Sequence, residues 1–556
     1  MEDIYDVIIV GAGIAGLMAA KTLLERNEST TILLIEASDC IGGRIRGDND
    51  FVKGHTIDLG AEYIHGQGTP FTKLLDELFV DNPVRLEEAF ITAHADGGPA
   101  EQPTSDGKYG MYYLPDHGLL RHDDHRLDPL HTLLDNMDQS AAPSIGMLFQ
   151  DGNLSSDLQD LANAGYSNTA GCSDPNELSL PALLDFDRYW EENETEADSW
   201  IDSTVGMMGV IERLWDAHLE GKVELALNTR VQGIRPGTDG HTSFVTTATT
   251  AKGGHEDAKV DRMESSNDDT HCESFTARTV IVTVPPPLWP GLFTSDLPSN
   301  STISAATTTI ISKNSNSNSN INNIVVKQEA SVLAEKINAL QYLGMDCALK
   351  VLCRFRREDL PLSWDFNLQS VVSAIETKDV GQNKNRDDSD DNTGSDKGKD
   401  NGRSMLIPEV WFREHEGSVE EGPCVVATGF LTSDAARRFL STVNGNGTLQ
   451  ELDLSTVSDT AGEKFVEQLS VILSIDHVDL RKALVGTRMY RWEYGYMYPR
   501  VGFNTKTHLP ALAKPMGRVL FAGEATHTGA CCTVQAAVET GVRAAEEAFG
   551  QLSSKS

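Results

Sequence analysis

Gly11, Gly13 and Gly16 stand in the order Gly-x-Gly-x-x-Gly, directly after the apolar run Val7-Ile-Ile-Val10. This spacing suits a turn that holds the phosphates of a dinucleotide. Gly11 permits the tight turn, Gly13 lets backbone approach a pyrophosphate, and Gly16 lets the next helix pack closely. Ile14 and Ala15 open that helix, whose N-terminal amides carry partial positive charge toward an anion. Glu36 ends a second apolar run, Ile32-Leu-Leu-Ile35. It stands about 20 residues past the glycines, where an acid bonds ribose hydroxyls. These residues alone do not separate FAD from NAD. Near the other end, Gly517-Arg-Val-Leu-Phe-Ala-Gly-Glu-Ala-Thr526 also reads as a strand running into a cofactor site. Two such segments so far apart imply one dinucleotide held from both sides.

Three stretches narrow the choice: Glu36-Ala-Ser-Asp-Cys-Ile-Gly-Gly-Arg44, Asp58-Leu-Gly-Ala-Glu-Tyr-Ile-His-Gly66 and Phe521-Ala-Gly-Glu-Ala-Thr526. With them the chain resembles the FAD-dependent amine oxidases, in order over most of its length, and is nearest to the polyamine oxidase branch. The resemblance implies FAD as the cofactor. Arg44, beside Gly43, is expected to neutralise pyrophosphate charge, and Ala37 to join Glu36 in the cofactor set. Gly60, Ala61, Glu62 and Tyr63 are expected along the flavin. The backbone of Val231 is expected near the adenine, and Glu524, after Gly523, near a ribityl or ribose hydroxyl. Thr533 and Val534 open the last helix, whose N-terminus favours negative charge on the flavin ring.

The same resemblance assigns the substrate side. Lys350, in Leu343-Gly-Met-Asp-Cys-Ala-Leu-Lys-Val-Leu-Cys-Arg-Phe355, matches the family strand whose lysine holds a water at the flavin. Strand alternation puts Asp346, Ala348, Lys350, Leu352 and Arg354 on one face. That face is polar enough to leave a solvated surface lysine as the alternative. His65, in Ile-His-Gly, is expected to face the substrate and bond its nitrogen. Glu62 is expected to attract the cation or to bond its own loop. Arg491-Trp492-Glu-Tyr-Gly-Tyr-Met-Tyr498 resembles the family segment before the last flavin motif. There Trp492 packs by the flavin, and Tyr496 or Tyr498 flanks the substrate together with Thr533; core packing is the alternative. Monoamine oxidases carry a flavin-linking cysteine in this segment and this chain has none there, so the resemblance implies noncovalent FAD. Monoamine oxidases carry a tyrosine where Thr533 aligns, so a two-tyrosine cage is incomplete.

The expected reaction is oxidation of a polyamine C–N bond by hydride transfer to flavin N5. The resulting imine hydrolyses to an aldehyde and a shorter amine, and O2 becomes H2O2. The rivals are a lysine-specific histone demethylase-like enzyme, an L-amino-acid oxidase and a flavin-binding protein without turnover.

Composition agrees with a cationic partner. The 556 residues carry a formal net charge of -37, which excludes a basic nucleic-acid footprint. Residues 151–202 are rich in acid, including Glu191, Glu192, Glu194 and Glu196, with Arg188 the single basic residue. They read as a solvated helix face or as a field that gathers cations. No apolar run nears the roughly 20 residues that span a bilayer. The segment before Val7 is acidic, unlike a signal peptide, and Ser553-Ser-Lys-Ser556 differs from a Ser-Lys-Leu address. A cytoplasmic monomer or weak homodimer is expected, with no membrane partner. The eight cysteines show no zinc-ligand spacing, so no metal is expected; the Cys531-Cys532 pair is unusual and reads as packing beside the flavin.

The expected fold class is α/β: a Rossmann-like FAD-binding domain of glutathione-reductase type, with a second α+β substrate domain on a mixed or antiparallel sheet. Residues 1–85, 205–290 and 485–556 are assigned to the first domain, and 86–204 and 291–484 to the second. Helices are expected near 70–80, 180–193 and 206–219, and strands over 223–234 and 278–284, with 235–276 a polar excursion between them. Residues 299–325 and 376–404 lack the apolar side chains that offset ordering entropy and read as disordered inserts.

Overall fold

The computed structural model describes residues 4–89, 104, 107–192, 198–236, 242–249, 271–293, 320–374, 406–443 and 454–554. The apolar runs at the start form parallel strands. Ile4–Val10 lies between Ile32–Ile35 and His271–Val282, and Glu224–Ala226 extends the sheet beyond Ile32–Ile35. Val519–Phe521 pairs in parallel with the end of His271–Val282, which brings the two ends of the chain into one sheet. Such strands are buried on both faces, which is why Val7, Ile8 and Ile9 are all apolar.

The excursion at 235–276 is partly strand. Ser243–Thr249, rich in threonine and other β-formers, pairs antiparallel with Thr229–Pro236 on one side and with His271–Ala277 on the other. Polarity concealed it, although Ser243, Val245 and Thr247 are buried between the two neighbouring strands. The helix Ile14–Arg26 packs against the last helix, Val534–Ser553. A Cβ on Gly16 would lie 2.1 Å from Gly11 O, so only glycine allows the helix to start this close to the turn.

The second sheet has the strand order Leu484–Trp492, Ala348–Arg356, Cys424–Thr432, Glu409–His415, Leu368–Ser373, Tyr109–Leu114, Gly118–Leu120. All its neighbours are antiparallel except Leu368–Ser373 with Tyr109–Leu114. It is therefore mixed, as the fold class requires. The expected helices stand at Pro70–Leu78, Leu180–Glu192 and Gly206–Leu214.

Residues 299–319 and 376–404 lie outside the described residues. The first insert is shorter than expected at its far end, since Asn320 already begins a helix that runs to Gln341. That helix is anchored by Lys336, whose Nζ donates to Ala511 O (3.0 Å) and Leu512 O (2.7 Å). None of the helices among the described residues is long and apolar enough to cross a membrane.

Candidate active site

Four chain segments converge where the first strand ends. The helix Ile14–Arg26 is capped by Gly13, with no side-chain cap and no acid in its first turn, so its leading amides stay available to an anion. The side chains of Ile14 and Ala15 are buried in the core, which leaves their backbone to face the turn. Glu36 is locked at the strand tip. Its Oε2 accepts from Ala12 N and its Oε1 from Ser38 N, each at 2.8 Å. Ala37 follows on the exposed side. Thr229 N donates to Glu36 O (2.9 Å), which sets the strand carrying Val231 beside that acid.

Gly42 N donates to Ala12 O (2.9 Å), folding the 36–44 loop back over the turn. A Cβ on Gly43 would stand 3.0 Å from Gly13 Cα, so the two glycines form a cradle that a side chain would fill. Arg44 Nη1 donates to Glu524 Oε1 (2.9 Å) and to Gly495 O (2.7 Å), joining loops from both ends of the chain. Ala61 N donates to Arg44 O (3.1 Å) and draws Gly60 and Ala61 alongside. Trp492 Nε1 donates to Leu59 O (3.0 Å). Gly523 precedes the buried Glu524, whose Oε2 accepts from Cys532 N (3.2 Å). Thr533 caps the last helix by accepting from Ala536 N (3.2 Å), and Val534 is its first residue. Cys531 is buried, and Cys532 donates its thiol to Met497 O (2.8 Å); burial holds both thiols well above the usual range.

The second sheet covers the other side. Its register places Lys350 opposite Phe430 and Tyr490, and Phe430 opposite Glu409. Alternation puts Trp411 on the same face as Glu409. The surface alternative for Lys350 fails, because its strand is central and the residue is 4% exposed. Its Nζ donates to Glu62 Oε2 (2.7 Å) and Asp58 O (3.1 Å) and lies 5.2 Å from the centre of the Trp411 ring.

Glu62 is buried and also meets Arg413 Nη1 at 3.4 Å, while Arg413 Nη2 reaches Glu87 (3.1 Å) and Ile201 O (3.0 Å). Two buried cations already neutralise Glu62. Its expected role in drawing in a substrate cation is therefore corrected: it is the counter-ion of Lys350. Burial and the neighbouring Glu62 push the Asp58 carboxyl up to about 7.

His65 Nδ1 lies 3.2 Å from Asp198 Oδ1, and Gln535 Nε2 donates to His65 O (3.1 Å). Burial works to lower the His65 imidazole, yet Asp198 holds it above its ordinary value. Aromatic rings continue from here. Tyr63 lies 6.4 Å from His65 and 5.7 Å from Trp411, Trp411 lies 6.0 Å from Phe430, and Phe430 stacks on Tyr496 at 6.5 Å. Trp190 flanks His65 at 6.1 Å. Tyr496 donates its hydroxyl to Thr169 O.

Tyr498 does not join them. Residues 497–499 pair with Leu343–Met345, and the Tyr498 ring lies over Gly344, which has no side chain to block it. It is 1% exposed and belongs to the core, so its expected place beside the substrate is corrected.

Glu409, Trp411, Arg413, Phe430, Trp190 and Asp198 were not among the expected site residues. Glu409-Val-Trp-Phe-Arg413 alternates large or charged residues with apolar ones, the signal of a strand with one functional face. Asp198 was concealed in the acidic stretch. Of that stretch, residues 193–197, with Glu194 and Glu196, lie outside the described residues.

A family model described as flavin containing amine oxidoreductase matches residues 14–313 and 329–548. Among curated proteins, putrescine oxidase of Kocuria rosea is 39% identical over 83 residues, 15% of this chain and 16% of that protein. Polyamine oxidase 3 of Oryza sativa subsp. japonica is 48% identical over 59 residues, 11% of each chain. Lysine-specific histone demethylase 2 of Homo sapiens is 34% identical over 118 residues, 19% of this chain and 12% of that protein. The matched segments thus span only 11% to 16% of those relatives' length. Among solved structures, cyclohexylamine oxidase from Brevibacterium oxydans superposes with a TM-score of 0.60 at 17% identity, covering 99% of this chain and 100% of that one. Wild-type putrescine oxidase bound to putrescine gives 0.59 at 16% identity, over 98% and 99%. Likeness at that identity establishes the fold.

Proposed function

Because this chain belongs to the flavin-containing amine oxidoreductase family, we propose that it uses FAD to oxidise the C–N bond of a linear polyamine, with O2 as the acceptor and H2O2 as the product. FAD is the family's cofactor, and the cradle suits it: bare helix amides and Arg44 for a pyrophosphate, and Glu36 for ribose hydroxyls. When bound, FAD would supply the acceptor for the hydride lost from the carbon beside the amine nitrogen, with O2 taking up the electrons. Hydrolysis of the imine then gives an aldehyde and a shorter amine.

The chain's own residues have separable tasks in this reading. Gly43 and Arg44 hold the pyrophosphate, and the backbone of Val231 meets the adenine. Gly60 to Tyr63 and Trp492 would line the flavin, Glu524 would bond a hydroxyl of its ribose or ribityl chain, and Thr533 and Val534 would present amides to the ring. Lys350 uses two of its three N–H bonds on Glu62 and Asp58 O, which leaves one to hold a water. A carboxylate at Nδ1 fixes that nitrogen of His65 as the donor and frees Nε2 to accept from substrate. An amine loses hydride only when neutral, so an accepting imidazole at the reacting nitrogen is useful. Aromatic faces exclude water and favour a cationic chain.

The observation that carries the polyamine reading is the row from His65 through Tyr63, Trp411 and Phe430 to Tyr496, with Asp198 beside His65 and Glu409 opposite Phe430. A long apolar chain with separated positive charges fits such a row; a compact aromatic amine does not. The proposal needs a cationic amine and oxygen, and no nucleic acid, metal or membrane.

Peroxide release from the purified yellow protein tests it, with spermine, spermidine, acetylated polyamines, benzylamine and L-amino acids as candidate substrates. Polyamines alone should give peroxide. Bound flavin with no polyamine turnover, but with demethylation of a methyl-lysine peptide, would instead establish the demethylase alternative. The pH profile supplies a second test. Asp198 raises the His65 pKa, so His65 stays protonated to higher pH than a free imidazole, and turnover should rise as pH climbs past that pKa. Asp198→Asn should move this inflection to lower pH; an unmoved inflection assigns it to another group.

A further inference from the structure

Resting on FAD as the family's cofactor and on the amine-oxidase reading of Thr533 and Val534, we propose that His527 is a positioning residue for the cofactor. Its imidazole holds the turn that leads into the last helix, and so sets the amides that Thr533 and Val534 bring to the flavin.

His527 is 7% exposed, and both its ring nitrogens are bonded. Gly529 N (2.9 Å) and Ala530 N (2.8 Å) donate to Nδ1, and Nε2 lies 2.9 Å from Glu539 Oε2. These partners fix the proton. Nδ1 faces two N–H donors and must accept, so the proton of the neutral ring sits on Nε2 and is donated to Glu539. Two buried amides of an irregular turn thus find their acceptor in one side chain, as buried backbone donors require.

The order passes along the turn to the helix. Cys531 N donates to Gly529 O (2.8 Å), and the Cys531 thiol donates to His527 O (3.1 Å). Cys532 stands in the left-handed region (φ 71°), which a residue with a side chain rarely adopts, and its N donates to Glu524 Oε2 (3.2 Å). Thr533 Oγ1 donates to Ala530 O (2.7 Å) and accepts from Ala536 N (3.2 Å). The residue whose amide His527 holds therefore also holds the helix cap. Glu539 lies in the second turn of that same helix, so the imidazole ties the turn to the helix from both ends. Tyr189, from the helix Leu180–Glu192, seats its ring on Gly529, where a Cβ would collide with it, and stands edge-on to His527 at 5.7 Å. Packing alone would be served by an apolar side chain. What His527 adds is the acceptor at Nδ1, and the stretch it organises carries both Cys532 N to Glu524 and the helix head.

Two amide variants of the full chain separate the ring nitrogens. The oxygen of His527→Asn falls near the place of Nδ1, whereas the longer His527→Gln reaches toward the place of Nε2 and Glu539. Release of FAD from the holoenzyme on dilution, followed by flavin fluorescence, gives the Kd. His527→Gln should raise it by about 10- to 100-fold, the loss set by leaving two buried amides without an acceptor, and His527→Asn should stay within about threefold of the parent. Both variants exchange the ring for an amide, so a loss from misfolding falls on both alike. With FAD saturating, the midpoint potential of the flavin in His527→Gln should move to more negative values, because amides that favour negative charge on the ring are displaced. An affinity ranking other than this one, or a potential that stays at the parent's value, overturns the proposal. A parent protein that releases no peroxide with any amine would sink the oxidase reading alone, since affinity and potential are measured without substrate.

Discussion

In Lys350→Met, anaerobic stopped-flow reduction of the flavin by spermidine should be slower by about 10²-fold or more, the range lost with a positioned proton-handling group. Methionine matches the length and burial of lysine but offers no N–H. The strand should survive the change, because Lys350 is central, with neighbours bonded on both sides. What is lost is the group that donates to Glu62 and Asp58 O and keeps one N–H for water. FAD content, read from the visible spectrum, should stay near that of the parent. Reduction within about threefold of the parent would remove Lys350 from the chemistry, since a bystander lysine need not affect the reductive half-reaction at all.

Glu62→Ala should be among the most destabilising single changes in the chain, by about 3–5 kcal/mol, because it strands two buried cations. Lys350 Nζ and Arg413 Nη1 both contact this carboxylate, and each of the three side chains is under 10% exposed. Arg413 keeps Glu87 and Ile201 O, whereas Lys350 keeps only Asp58 O. Urea unfolding of the apo and FAD-loaded forms gives the magnitude. The double variant Glu62→Ala/Lys350→Met should recover part of the loss, since no ammonium is then left without a partner. A single variant that unfolds at the parent's midpoint would show that water already solvates this cluster.

The first βαβ unit could be read directly from residues 4–36. Its signals are local: an apolar run, three glycines at fixed spacing, and an acid at the next strand tip. The mixed second sheet also followed from the family motifs. Where the reading went astray, the cause was long-range contact. Ser243–Thr249 is polar in sequence, yet it finds partners on both edges. Tyr498 looks like its neighbour Tyr496, but pairing with Leu343–Met345 turns it into the core. Asn320 sits in a Ser/Asn-rich stretch that gives no sign of a helix, and the helix it begins is anchored much later, where Lys336 meets residues 511 and 512.

The sequence by itself determined the dinucleotide turn and the family, because each depends on residues close together along the chain. Only the tertiary structure decided which charged groups meet. It made Lys350 a buried partner of Glu62, with Arg413 at the other carboxylate oxygen. Asp198 became the partner of His65, and Glu409, which no local motif marks, took Thr169 and Asn168 as donors. Those outcomes depend on which charges meet across strands hundreds of residues apart, and on how far each is removed from water. Neither quantity is written in local spacing.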